Sequence, residues 1–552
     1  MAGIRLEVRV VLMLVLALLI APSAPTANAA GPWWEPVGRS APDSQVNVTG
    51  EPFTGTGPDG RVRGWIDAHN HLMTSEAFGG RLVCGKPFSW EGIADALQDC
   101  PEHYPDGSGA LFENITGGSD GTHDPIGWPT FENWPSHGSY THQQNYYAWV
   151  ERAWRAGQRI MVTDLTSNGL LCSLPVLPKD GRSCDEMESV RLQADKTYEM
   201  QDYIDSMYGG EGKGWFRIVT SPEQATAVIE QGKLAVVLGV ETSEPFGCKQ
   251  TFGIPRCSKG DIDRGLDELK SLGVSSMFLC HKYDNALCGV RFDSGTTGLA
   301  VNAGQFLSTG TFWTTETCKT ARADNPIGFA DPALEEALGV DLPDYDQSER
   351  CNKRGLTRLG EYAIRAMIDR NMMLEIDHMS VKAAGRPFEI AEAHDYPGLI
   401  SSHSWMDTGW TERLYELGGF AATYGFAPEE FVAEQARTAE LRDRHGKGSG
   451  LGVDMNGLAN QAPPVGVDSP LAVSYPFRSI DGGSVLDRQV TGVRVWDVNT
   501  DGVAHYGLVP ELLEQIRIAG GDMNDLMSGA ASYLDTWSAT ADHGDGQDTD
   551  DE

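Results

Sequence analysis

Eight short apolar or β-branched runs, each followed by a polar residue and then by a helical pattern, constrain the fold most strongly. They span 62–69, 159–165, 234–241, 275–281, 372–378, 398–403, 419–425 and 451–454. Helical candidates lie between them at 143–157, 221–232, 261–273, 356–371 and 428–446, and the last three show apolar spacing near 3.6. Strands that alternate with such helices predict a parallel sheet buried on both faces. Eight repeats predict a (β/α)8 TIM-type barrel.

The ends of these predicted strands carry an unusual set of polar side chains, since active sites of such barrels lie where strands end. The set is His69, His71, Asp164, Glu241, His281, His378, His403 and Asp454. A single histidine there would more often be structural, but five histidines with carboxylates on one rim indicate a metal site. His69 and His71 can both reach one point, because strand residues two apart point the same way. Glu241 can bridge two divalent ions, and Asp454 stays free to handle a proton.

The amino-terminal segment has the pattern of a secretory signal peptide. Arg5 and Arg9 precede an apolar run, and Ala-Asn-Ala at 27–29 fits a cleavage site after Ala29. A membrane anchor is the alternative, but the run is shorter than the roughly 20 residues that a spanning helix needs. The sequence therefore predicts a secreted or extracytoplasmic protein without a transmembrane segment.

The expected organisation is one decorated barrel. Its parts are a signal peptide at 1–29, an N-terminal extension at 30–60, the barrel at 61–537 with long loop insertions near 79–142 and 290–350, and an acidic disordered tail at 538–552. The insertions are expected to emerge from the C-terminal face that carries the site and to reshape the pocket. The sequence sets no oligomeric state.

The charge and the cysteine content limit which partners and which cellular compartment are expected for this protein. The formal net charge of -35 repels nucleic acid and anionic membranes, so neither is an expected partner. Ten cysteines in an exported chain favour disulfides, whereas a Cys-ligated zinc would need CxxC pairs that the sequence lacks. Proximity in sequence suggests the pairs Cys84 with Cys100, Cys172 with Cys184, Cys248 with Cys257, Cys280 with Cys288, and Cys318 with Cys351.

A series of motifs in order carries a family resemblance: IDAHNHL, LGVETSEPFG, FLCHKYDNALCG, GLTRLGEYAIRAMIDRNMMLEIDHMS, ISSHSW and GVDMNGL. With them the chain resembles the membrane dipeptidase family (renal dipeptidase-like, peptidase family M19) of the amidohydrolase superfamily, up to about residue 537. The segment 355–380 is the most specific. The chain departs from the family at His71, because the family has His-x-Asp where this sequence has His-x-His, so an imidazole replaces a carboxylate ligand.

The resemblance implies a role for each matching residue. It places one metal ion on His69 and His71, the second on His378 and His403, and Glu241 between them. Asp454 would be the base, while His281 and Arg413 would contact the substrate. The implied protein is a hydrolase whose two divalent ions, expected to be zinc, activate water to cleave an amide bond, with a dipeptide as the small-molecule substrate. Two alternatives stay open: a lactonase or other amidohydrolase acting on a non-peptide C–N or C–O bond, and a non-catalytic metal-binding barrel.

Overall fold

The computed structural model describes most of the chain after the amino-terminal segment. The described residues are 32–37, 44–103, 126–138, 140–174, 179, 181–329, 332, 335–336, 339–425 and 427–545. The expected signal peptide at 1–29 and residues 546–552 of the expected tail lie outside them.

All eight predicted strands form, and they close a parallel barrel. The strands are β1 Trp65–Asn70, β2 Gln158–Ser167, β3 Leu234–Thr242, β4 Val274–Phe278, β5 Met373–Glu375, β6 Leu399–Ser401, β7 Phe420–Tyr424 and β8 Gly450–Gly452. Each strand pairs in parallel with the next along the chain. β8 pairs with β1 through Leu451 and Asp67, which closes the ring. A short parallel strand, Phe216–Ile218, lies beside the start of β3. The predicted (β/α)8 fold is confirmed.

Helices connect the strands, including one at each of the five predicted positions. The longer helices are α1 Tyr147–Arg155, α2 Glu186–Met207, α3 Pro222–Glu230, α4 Lys259–Leu272, α5 Gly295–Thr309, α6 Arg358–Ile368, α7 Val381–Ala393, α8 Pro428–His445, α9 Val509–Ile518 and α10 Gly529–Asp545. The Thr357 side chain caps α6 by accepting from the backbone N–H of Gly360. Gly273 ends α4 with φ 89°, a left-handed conformation that glycine adopts without cost. Thr357 and Gly273 are residue types that favour helix ends, so the limits of these two helices are recognisable in the sequence.

The interior of the barrel changes from apolar to polar along its axis. Val162 and Met373 belong to a buried cluster that also contains Tyr533 of α10. Two residues further along the same strand faces stand Asp164 and Glu375, both buried. The carboxyl ends of the strands therefore collect buried carboxyl groups, which need partners there.

Three further features of the structure concern the cellular compartment and the C-terminal end of the chain. The five predicted disulfides are confirmed, Cys84–Cys100, Cys172–Cys184, Cys248–Cys257, Cys280–Cys288 and Cys318–Cys351. Five such bonds fit an extracellular, oxidising compartment. Within the described ranges no helix combines the length and the hydropathy that crossing a bilayer requires. The tail differs from expectation, because α10 runs on to Asp545 rather than ending near 537.

Candidate metal centre

The sequence and the family resemblance gave eight residues a role as metal ligand, base or substrate contact. Seven of these eight come together at the carboxyl ends of the strands. We call them the rim cluster: His69, His71, Glu241, His281, His378, His403 and Asp454. His378 and Asp454, which follow β5 and β8, have φ angles of 64° and 52°. A left-handed backbone is unfavourable for residues other than glycine, and such conformations concentrate at functional sites.

Glu241, near the end of β3, occupies the middle of the rim cluster. Its Oε2 atom lies 3.3 Å from Nε2 of His71 and 3.7 Å from Nε2 of His69. Its Oε1 atom lies 3.2 Å from Nε2 of His378 and 3.7 Å from Nε2 of His281. Ligand atoms around one tetrahedral zinc ion are about 3.3 Å apart, given metal–ligand distances of about 2.0–2.1 Å. The two oxygens of one carboxylate thus face two different sets of imidazole nitrogens at ligand-like spacing.

Two histidine pairs flank Glu241, the first formed by His69 and His71 and the second by His378 and His403. Within the pairs the Nε2 atoms are 3.1 Å and 3.0 Å apart. His71 Nδ1 lies 2.9 Å from the carbonyl oxygen of Asp164, which can only accept, so Nδ1 carries the proton of the neutral ring. His69 Nδ1 lies 3.1 Å from the Asp164 carboxylate and takes the same form. When both rings are neutral, the lone pairs of their Nε2 atoms face the same point, where a proton or a metal cation can bind.

The second pair is held differently. His403 Nδ1 lies 3.1 Å from the carboxylate of Asp377, which also accepts from the His403 backbone N–H at 2.9 Å and from Ser401 Oγ at 2.7 Å. His378 Nδ1 is buried and has no hydrogen-bond partner among the described residues. The His403 ring stacks on that of His69 with centroids 4.0 Å apart, so the two pairs are contiguous.

Asp454 lies beside the first pair. Its Oδ1 atom is 3.2 Å from His71 Nε2 and 3.5 Å from His69 Nε2, and 15% of its side chain is exposed. A Cβ atom on Gly457 would lie 1.7 Å from that same Oδ1, so only glycine leaves room for the carboxylate. The position suits both a third ligand of the first ion and a partly exposed proton acceptor.

The electrostatics of the rim cluster are uneven. Burial opposes the charged form of His71, but hydrogen bonds to Asp454 and Glu241 raise its pKa to about 9. Burial likewise opposes ionisation of Asp454, yet His69 and His71 hold its pKa well below the usual range. On the other side, burial lowers the pKa of His281 to about 3. The first pair therefore attracts positive charge strongly, whereas His281 stays neutral.

Arg413 is the predicted site residue that the structure does not bring to the rim cluster. It lies in the short helix Thr411–Glu416, where its guanidinium donates to Glu392 at 2.7 Å and packs over the ring of Trp410. None of its described contacts reaches the rim cluster. Its role in substrate binding stays a prediction.

Three neighbours of the rim cluster were missed in the sequence. Asp377 orients His403, and the ring of Trp405 lies 5.7 Å from that of His378. Lys282 places its Nζ 5.9 Å from the centre of the Trp405 ring. Asp377 and Lys282 are each adjacent in sequence to a predicted histidine. Trp405 lies two positions after another one. The signal that could have found them is therefore proximity to the histidines.

The fold and the site define a (β/α)8 barrel with a buried histidine and carboxylate cluster at the carboxyl ends of its strands. Among solved structures the chain is similar to a metallopeptidase from Rhodobacter sphaeroides liganded with a phosphinate mimic of the dipeptide L-Ala-D-Ala, at 12% identity over 86% of this chain and 98% of that chain, with a TM-score of 0.41. It is similar to a probable dipeptidase from Pseudomonas aeruginosa, at 14% identity over 73% and 90%, with a TM-score of 0.37. A dipeptidase of metallopeptidase family M19 is similar at 13% identity over 69% and 87%, with a TM-score of 0.37.

No family model and no curated protein matches the sequence. The structural neighbours include the kind of dipeptidase that the sequence motifs resemble.

Proposed function

We propose that the protein is an exported hydrolase that holds two divalent metal ions, expected to be zinc, and cleaves the amide bond of dipeptides. The observation that carries the proposal is the position of Glu241, whose two oxygens face different sets of histidine nitrogens. A carboxylate shared in this way is how two ions are held close together in binuclear hydrolases. The export follows from the signal pattern and fits the five disulfides.

The donor set fits such ions. His69 and His71 would hold the first ion, His378 and His403 the second, and Glu241 both. Imidazole nitrogen and carboxylate oxygen are the ligands that zinc takes in catalytic sites. Burial alone would raise the pKa of Glu241, yet the histidines around it, His281 and His69 first, hold that pKa well below its usual range, so the group is anionic.

The side chains next to the donors supply the remaining chemistry. When bound, the ions would lower the pKa of water and polarise the carbonyl of the scissile bond. Asp454 is ionised and partly exposed, so it can take a proton at Oδ1 and return it to the leaving nitrogen. His281 is neutral, and it can donate a hydrogen bond to a substrate oxygen beside Glu241.

The test combines metal analysis with a substrate panel. Purified secreted protein should contain two equivalents of divalent metal per chain and hydrolyse dipeptides, and a chelator should abolish the activity. His445→Ala is a matched control, because this histidine lies at the end of α8, outside the rim cluster, and the variant should keep both ions. Turnover of lactones or N-acyl amino acids without any dipeptide turnover would replace the substrate assignment. Protein that binds no divalent ion would overturn the proposal altogether.

A further inference from the structure

We infer that Ser402 is a positioning residue shared by both proposed ion sites, because its hydroxyl bonds one imidazole of each histidine pair; this inference rests on the proposed function. Ser402 directly follows β6 and is buried. Its Oγ lies 3.1 Å from Nδ1 of His69 and 3.3 Å from Nδ1 of His403. One side chain therefore contacts a proposed ligand of each ion, at the ring nitrogen that is not the proposed ligand atom.

The contacts of Ser402 differ from those of the neighbouring carboxylates. The Asp164 carboxylate lies 3.1 Å from Nδ1 of His69, but neither of its oxygens has a hydrogen-bond partner among the described residues. It therefore acts on His69 through its charge, whereas the directed hydrogen bond of that nitrogen is made with Ser402. The described contacts of the Asp377 carboxylate are with Ser401 and His403, which places them on the second pair. Ser402 is thus the side chain that links the two pairs.

The chemistry of the hydroxyl determines which form of the rings it favours. A serine hydroxyl has two acceptor lone pairs and one donor. Ser402 can accept from both rings at once only if each ring carries its proton on Nδ1. In that tautomer the Nε2 atom of each ring keeps its lone pair, which a metal ion needs. By accepting from both rings, Ser402 stabilises the metal-binding form of one ligand in each pair.

The proton of the Ser402 hydroxyl then needs an acceptor, and Glu375 can provide it. Glu375 ends β5, is buried, and neither of its oxygens has a hydrogen-bond partner in the described part of the chain. Burial raises the pKa of this carboxyl well above its usual range and Asp164 adds to the rise, whereas His69 and Ser402 oppose it, so the group lies close to both. A carboxyl oxygen can accept a hydrogen bond in either protonation state. All three hydrogen-bonding positions of Ser402 therefore have a neighbour to use them.

The test compares two adjacent buried serines. Ser402→Ala removes the shared hydroxyl, so the two stepwise affinities for Zn²⁺ should each fall by about tenfold, as is typical when a group that orients a metal ligand is lost. Ser401→Ala is the matched control, because Ser401 Oγ donates to Asp377 at 2.7 Å and so acts on the second pair. The control should weaken one step and leave the other at its wild-type value. Competition titrations with a chelator measure both steps.

Nuclear magnetic resonance of zinc-loaded protein with isotopically labelled histidine adds a readout that does not depend on a variant. In the wild type, His69 and His403 should both carry a proton on Nδ1, and both of these N–H signals should shift in the Ser402→Ala protein. A ring with its proton on Nε2, or a Ser402→Ala protein that loses affinity at one step or at neither, overturns the inference. Equal losses at both steps in the two serine variants would trace the effect to packing and also overturn it.

The same measurements separate this inference from the proposed function, because they need zinc but no turnover. If the wild type binds two zinc ions and hydrolyses no dipeptide, the proposed function fails, while a loss at both steps in the Ser402→Ala protein still supports the shared role. If the wild type hydrolyses dipeptides and Ser402→Ala leaves both affinities unchanged, the inference alone fails. Wild-type protein that binds no zinc overturns both.

Discussion

The two histidine pairs differ in how the protein holds them and in the charge around them. In the first pair, Asp164 fixes both rings, one through its carboxylate and one through its carbonyl oxygen. Asp454 lies against the same pair. In the second pair Asp377 fixes His403, while Nδ1 of His378 has no partner in the described part of the chain.

This difference indicates that the two proposed ion sites are not equivalent. The first pair is enclosed by carboxylates and strongly attracts cations. The second pair borders Trp405 and Lys282. Burial and His281 lower the pKa of His378, and the positive charge of Lys282 lowers it further. We therefore expect a tightly bound ion at the first pair and a more weakly bound ion at the second.

The largest effect is expected for Glu241→Ala, because both proposed sites share this ligand. Both ions should be lost, and kcat/KM should fall by at least about 10⁴-fold. Metal analysis of the purified variant and its activity on dipeptides check this. Glu244→Ala, three residues along the same segment, should retain both ions. Two full equivalents of metal in the Glu241→Ala protein would return Glu241 to a structural role.

Asp454→Asn should separate proton transfer from metal binding. The variant keeps the shape of the side chain but cannot accept a proton, so kcat should fall about 10²- to 10⁴-fold while the metal content stays close to that of the wild type. Gly457→Ala should change activity in the same direction, since its Cβ would displace the Asp454 carboxylate. Measuring metal content, melting temperature and kcat on one preparation decides the role. Loss of one ion would instead make Asp454 a ligand of the first site.

Asp164→Asn and Asp377→Asn probe the groups that orient each pair. Loss of such an orienting carboxylate typically costs about 10- to 100-fold in metal affinity. We expect Asp164→Asn to weaken the tighter ion and Asp377→Asn to weaken the other, because the contacts of these aspartates lie on different pairs. Competition titrations with a chelator resolve the two steps. If both variants weaken the same step, the assignment of one ion to each pair is wrong.

The sequence predicted the barrel and most of the site because both depend on local patterns. Eight apolar runs fix the strands, and residues at strand ends meet on one face whatever the loops do. Arg413 shows the limit, since its distance from His403 along the chain did not reveal that Glu392 of α7 would pair with it. Lys282 was missed because its place depends on a disulfide-closed loop and on contacts with Asp293 and Trp405, which are remote in sequence.

The smallest predicted effect is a difference in pH dependence between the two ion sites. Burial disfavours the charged ring of His71, but the contacts with Asp454 and Glu241 raise its pKa to about 9. The metal-free ring is therefore protonated at neutral pH. An ion at the first pair must displace that proton, and its affinity should rise by up to about tenfold per pH unit until the pH reaches about 9. Burial lowers the pKa of His378, so that ring is already neutral and the second affinity should change little over the same range. Stepwise metal affinities measured between about pH 6 and pH 9 should therefore diverge as the pH rises, and two parallel curves would contradict the electrostatic difference between the pairs.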